Sequence, residues 1–140
     1  MEALLYWQFK ESAPFEREVR SFANQREFIQ KIGTTDGTGA FLQLYQEDMP
    51  FTSVWAVDAY FLGRCLNGDF MRATISTLFK RISGAAPVRQ GVGTLVLSIA
   101  SGGSMSGDIS VSGNGMQVRF SDGGTGIANA SVVVCIQEVL

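Results

Sequence analysis

The residue types that carry most enzyme chemistry are sparse in this chain, and their spacing narrows its function further. None of the 140 residues is a histidine. That excludes Ser-His-Asp and Cys-His nucleophilic triads and every metal site that needs an imidazole. The two cysteines, Cys65 and Cys135, are far apart in the sequence and each lies in an apolar stretch. They cannot build a structural zinc site and read as buried, reduced thiols, although arithmetic alone allows a disulfide between them. Asp36, Asp48, Asp58 and Asp122 do not follow the Asp-x-Asp-x-Asp-Gly spacing of a calcium loop. Asp58 stands out because the residues around it, 54–62, are otherwise apolar. A buried carboxylate in such a place can serve as a general base, or it can pair with an arginine or cap a backbone group. No second carboxylate is in register with it, so the paired acids of a glycosidase are unsupported. The reading assigns no catalytic residue, no metal ligand and no cofactor.

Glycine-rich segments offer a second class of chemistry. Gly91-Val-Gly93 and Gly102-Gly-Ser-Met-Ser-Gly107 have the look of a phosphate cradle. Neither carries the Lys-Ser/Thr ending of a P-loop, and neither leads into a helix whose N-terminus would hold the anion. They read as turns between strands. Asp36-Gly-Thr-Gly39 and Asp122-Gly-Gly-Thr-Gly126 each lead into an apolar run. They are either a degenerate repeat or two turns drawn from the same small residues.

The elements that would position these residues fall into two halves. Ala3–Phe9 alternates and predicts an opening strand, while Phe15–Phe22 is ambiguous. Asn24-Gln-Arg-Glu27 has the form of a capping box, and with Gly33 as a stop it predicts a short helix over 25–32. Ala40–Gln46 reads as a strand. Thr52–Leu66 is apolar nearly all round and is either a buried helix or a central strand, ended by Asn67-Gly68. Asp69 as N-cap, the stripe Met71, Ile75, Leu78, Phe79 and Ile82, and Gly84 as stop predict a helix over 69–83. Beyond Pro87 the pattern becomes short β-type runs, Val92–Ala100, Asp108–Ser112, Met116–Ser121 and Ala130–Val139. Gly113-Asn-Gly115 predicts a tight hairpin turn. Met116, Val118 and Phe120 share one face of a half-buried strand, and Val132–Ile136 is apolar on both faces, as in a central strand. The expected fold is a single α+β domain over 1–140. It has an N-terminal strand and helices packed on a C-terminal antiparallel meander, with a sub-boundary near 84–92.

Composition and charge set the setting. The chain is 46% hydrophobic with 15 aromatic residues, enough for a full core. Only 17% of residues are charged, against roughly 25% in ordinary soluble domains, so part of the surface is expected to be hidden against another chain. The net charge of −2 argues against a strongly basic polyanion binder. Along the chain the charge is uneven: residues 1–58 carry −4, residues 59–107 carry +4 and the remainder −2. On the expected 69–83 helix, Lys80 lies opposite the apolar stripe with Arg72 and Arg81 on its flanks. Together with Arg89 they form the candidate interface. No basic leader or long apolar segment is visible at Met1-Glu2-Ala3, which points to the cytoplasm and away from a membrane.

The run Thr35-Asp-Gly-Thr-Gly-Ala-Phe-Leu-Gln-Leu44, with the Ser/Gly-rich turns of the last third, resembles stretches of bacteriophage tail and virion structural proteins. The resemblance transfers no functional residue. It implies a repetitive assembly built by self-association, with the virion as its location.

Three functions therefore compete. The first is a non-enzymatic structural or interaction protein that self-assembles or meets a protein partner. The second is a nucleic-acid-binding module using the basic 64–89 segment with an aromatic such as Trp55 or Tyr60. The third is a small ligand-binding protein or enzyme built on Asp58.

Overall fold

The computed structural model describes residues 7–13, 16–21, 26–100 and 104–139, and the side chains within 27–90 and 104–139. These residues form ten strands, and no helix occurs among them. The strands are β1 (Trp7–Ala13), β2 (Glu16–Ser21), β3 (Arg26–Thr34), β4 (Leu42–Asp48), β5 (Ser53–Cys65), β6 (Phe70–Arg81), β7 (Val88–Ala100), β8 (Ser106–Ser112), β9 (Gly115–Ser121) and β10 (Ala128–Val139). Seven of them make one antiparallel sheet in the order β1-β2-β3-β10-β5-β6-β7, and three make a second in the order β4-β9-β8. The expected α+β class is thereby overturned in favour of an all-β sandwich with one wide and one narrow sheet.

The helices expected over 25–32 and 69–83 are both strands, for one physical reason. Met71, Ile75, Leu78, Phe79 and Ile82 fit a helical stripe, but Met71, Ala73, Ile75, Thr77 and Phe79 fit a strand face equally well. Thr74, Ile75 and Thr77 add β-branched side chains that favour the strand. The Asn67-Gly68 turn then closes a long β5–β6 hairpin paired from Ser53↔Arg81 to Arg64↔Phe70. Residues 26–34 are held between neighbours, pairing with β2 on one side and with β10 over Thr34↔Asn129 to Arg26↔Gln137 on the other. Ladder pairing and burial outweigh a local capping pattern whose Asn24 lies outside the described residues. For 52–66 the central-strand alternative holds, since β5 lies between β10 and β6. The ambiguous segment 15–22 contributes β2. The expected opening strand is represented by β1, with residues 3–6 outside the described residues. The Gly113-Asn114 turn is present, and the positive φ falls on Gly113 at 56°. The turn segment 101–103 lies outside the described residues.

The core lies between the sheets. Trp55, Val57, Ala59 and Phe61 of β5, Met71, Ile75 and Phe79 of β6, and Val132, Val134 and Ile136 of β10 meet Ile109, Met116, Val118 and Phe120 of the narrow sheet. Two glycines let the sheets approach. A Cβ on Gly63 would stand 2.6 Å from the Phe120 ring, and one on Gly107 would stand 2.6 Å from the Phe61 ring. Each sheet thus leaves a gap under the other's phenylalanine.

A buried carboxylate fastens one end of the sandwich. Asp122 is fully buried. Its Oδ2 accepts from the Gly37 amide at 2.8 Å, and its Oδ1 accepts from the amides of Gly39 at 2.9 Å and Gly124 at 2.7 Å. The Thr35 hydroxyl accepts from the Ala128 amide at 2.9 Å, and its hydrogen bond to Asp122 is the largest cause holding that carboxyl below the usual range. Desolvation opposes this and is outweighed by the donors. Gly37 and Gly39 reach this arrangement at φ of 85° and 87°, where a side chain would be strained. The two Asp-Gly loops, separated by more than 80 residues, are therefore partners in space.

Candidate interaction surface

Alternation along a strand sends every second side chain out of the sandwich, and the wide sheet's outward residues line up in rows. Across β3, β10, β5 and β6 one row reads Thr34, Asn129, Arg64, Phe70, and the next reads Ile32, Ser131, Leu62, Arg72. Then come Gln30, Val133, Tyr60, Thr74, followed by Phe28, Cys135, Asp58, Ser76. Among the described residues no second layer covers these rows. Leu62 is 57% exposed and Tyr60 49%, with Ile32, Phe70 and Leu78 also open to solvent. Contiguous apolar exposure of this kind on a sheet marks a surface that meets something.

The face is furrowed. The short side chains of Asn129 and Ser131 run between the ridges Ile32 and Thr34 on one side and Leu62 and Arg64 on the other, leaving a groove of about 380 Å³. Thr34 donates its hydroxyl to Asn129 Oδ1 at 2.8 Å along this floor.

The four candidate interface residues separate. Arg72 and Lys80 hold even positions of β6, so both are exposed on the open face of the wide sheet; Arg64 of β5 is beside Arg72, while Lys80 is eight residues further along the strand, roughly 26 Å away. Arg81 has the opposite parity and is only 9% exposed. Its guanidinium donates to the carbonyls of Met49 at 2.6 Å, Gly84 at 3.1 Å and Ala85 at 2.9 Å. It holds the ends of two loops and is not part of a surface. Arg89 of β7 donates to the Ile109 carbonyl of β8 at 3.2 Å, so it reaches toward the narrow sheet. The expected basic helix face does not exist; what the sheet brings together is the pair Arg64 and Arg72. Trp55, offered as a stacking residue, is buried and donates its indole N–H to Glu138 at 2.6 Å. Tyr60 is on the open face with Phe70.

Asp58 is on the open face rather than in the core. It is half-buried and accepts from the Ser76 hydroxyl at 2.6 Å, not from an arginine. Among the described residues no cluster of three or more Cys, Asp or Glu could hold a metal ion. Both cysteines are buried thiols outside any disulfide, as expected: Cys65 points into the core, and Cys135, of the opposite parity on its strand, is only 9% exposed among its neighbours on the outer face. Cys65 is level with Ala128, seven residues along β10 from Cys135, a rise of roughly 23 Å that no disulfide spans. No described helix is long and apolar enough to cross a membrane.

Asp122, which accepts from three backbone amides, is from sequence only a turn residue. Its signal was present in the Asp-Gly-Gly-Thr-Gly run that echoes Asp-Gly-Thr-Gly. The open face also left a trace, because β5 is apolar at odd and even positions alike. Comparison with protein-family models, with curated proteins and with solved structures finds no match to this chain.

Proposed function

We infer that this domain is a non-enzymatic structural or interaction module whose working surface is the outer face of the wide sheet. The observation that supports it is the cluster of exposed Ile32, Leu62, Tyr60 and Phe70 around a furrow, on a sheet whose other face already has its partner. Desolvating such a surface favours association by roughly 25 cal/mol per Å² of apolar area. The likeness of residues 35–44 to phage tail and virion proteins implies repeated copies in a larger assembly, in a virion or the cytoplasm.

Leu62→Lys tests the reading. In size fractionation of a native extract, the wild-type chain should run well above its own mass and the variant should run as a folded monomer. Wild type and variant both running as monomers would remove the surface from the account.

Nucleic-acid binding is the second reading. Tyr60 and Phe70 lie near Arg64 and Arg72, a combination that stacks bases and holds phosphates. The aliphatic rows between them and the net charge of −2 weigh against it. Salt-steep binding of a single-stranded oligonucleotide would favour it.

A further inference from the structure

We propose that the occupant of the open face is a second copy of the same chain, packed face to face about a two-fold axis that crosses the strands at the Tyr60–Thr74 row. This rests on the docking reading above.

Size permits it. Four strands about 4.8 Å apart and roughly 40 Å long present close to 800 Å², which is what one partner of a stable complex typically buries. The chemistry is self-complementary. Asp58 is two residues from Tyr60 along β5 in one direction, and Arg72 is two residues from Thr74 in the other, since Leu62 pairs with Arg72 and Asp58 with Ser76. Within one copy the two rows are about 13 Å apart along the strands, too far for an ion pair. An axis through the middle row exchanges them. Each Arg72 then lies over the partner's Asp58–Ser76 row, and the isologous contact makes the pairing twice.

The same operation carries the other rows into matching neighbours. Along β6, Phe70 falls on the partner's Leu78, apolar on apolar, and Lys80 at the far end falls on the partner's 66–69 turn with its Asp69. Tyr60 meets its own copy at the axis. No other axis position within these rows gives both charge pairs: moving the axis half a row superposes Arg72 on the Tyr60–Thr74 or Leu78 row, and moving it a whole row superposes Arg72 on its own copy or on Lys80. The contact closes at two copies, so a larger assembly would need another surface.

The test uses the purified full chain in sedimentation experiments over a concentration series, with circular dichroism as the folding control. Wild type is expected to be a dimer. Asp58→Arg and Arg72→Asp should each weaken it at least about tenfold by placing like charges together. The double variant should recover most of that loss, because it rebuilds the pair with the signs exchanged. Tyr60→Cys in a Cys135→Ser background should form a disulfide-linked dimer on mild oxidation, as the axis brings the two thiols together.

A wild-type chain that stays monomeric well above micromolar concentration overturns the proposal, as does an oligomer indifferent to both single reversals. If that monomer binds a single-stranded oligonucleotide through Arg64 and Arg72, the occupant is nucleic acid and the second copy is refuted. A purified monomer whose complex in extract still depends on Leu62 refutes the second copy and leaves the docking reading standing. Loss of both dependences refutes the two together.

Discussion

The two sheets turn opposite kinds of surface outward. On the narrow sheet, Gln43, Gln46 and Asp48 of β4 lie beside Gln117 and Arg119 of β9 and Asp108 and Ser110 of β8. These groups bind one another. Gln46 donates to Asp48 at 2.9 Å, Gln117 donates to Ser110 at 3.1 Å, and Arg119 reaches Asp108 through two nitrogens at 2.9 and 2.6 Å while stacking 4.5 Å from the Phe41 ring centroid. On the wide sheet the outward rows are led by Ile32, Tyr60, Leu62 and Phe70, with Arg72 and Asp58 among them. Water satisfies the first face at no cost. The second exposes hydrocarbon, which gains from being covered. One sandwich thus carries a finished side and an unfinished one, and both were shaped by the same alternation of residues along strands.

That contrast depends on the sheets staying joined, and the largest effect should come from unfastening them. Asp122→Asn would turn an N–H donor toward backbone amides that need an acceptor, and calorimetry should show a loss of about 3 kcal/mol. The pH dependence follows from the direction of the shift. Because folding lowers the Asp122 carboxyl below its ordinary 3.8, its contribution is present above that value and is lost as the pH falls through the lower folded value. Wild-type stability should therefore drop in acid over that window, and the Asn variant should show a shallower fall. Equal slopes would mean that Asp122 does not carry the acid sensitivity.

Next in size is the spacing between sheets. Gly63→Val would drive a branched side chain into the Phe120 ring and should cost about 2–3 kcal/mol in chemical denaturation. A near-neutral result would show that the two sheets are not held as closely as Gly63 implies.

The finished face should answer weakly. Arg119→Ala removes a part-exposed ion pair with Asp108 and a ring contact, worth about 0.5–1 kcal/mol, and should leave the native mass unchanged. The smallest stability effect is expected on the unfinished face. Leu62→Lys should change monomer stability by no more than about 0.5 kcal/mol while abolishing association, because the side chain is exposed until a partner arrives. If Arg119→Ala disturbed association and Leu62→Lys did not, the roles of the two faces would be reversed.

Much of the C-terminal half was legible. The turn at Gly113-Asn114, the inward set Met116, Val118 and Phe120, and the central position of the strand through Val132–Ile136 all follow from local rules. Before it, the strands represented by β1 and β4 were legible, and the segments 25–32 and 69–83 were not. In 69–83 the apolar residues satisfy a period of 3.6 and a period of 2 at once, because Leu78 lies on an apolar outer face and Phe79 on the core face. A helix burying one stripe and a strand apolar on both sides then look alike, and only the partner strands decide between them.

By itself, the sequence determined that the chain has no histidine, the alternation that makes its later strands, and the small residues that allow its turns and the close approach of its sheets. These depend on residue type and near neighbours alone. Tertiary structure decided everything that joins distant residues. It brought the loops of Asp36 and Asp122 together, sent Arg81 inward to three carbonyls while leaving Arg72 and Lys80 outside, and placed Leu62 beside a furrow with no second layer over it among the described residues. Strand order and register set those outcomes. Both are properties of long-range pairing, which no short stretch of chain contains.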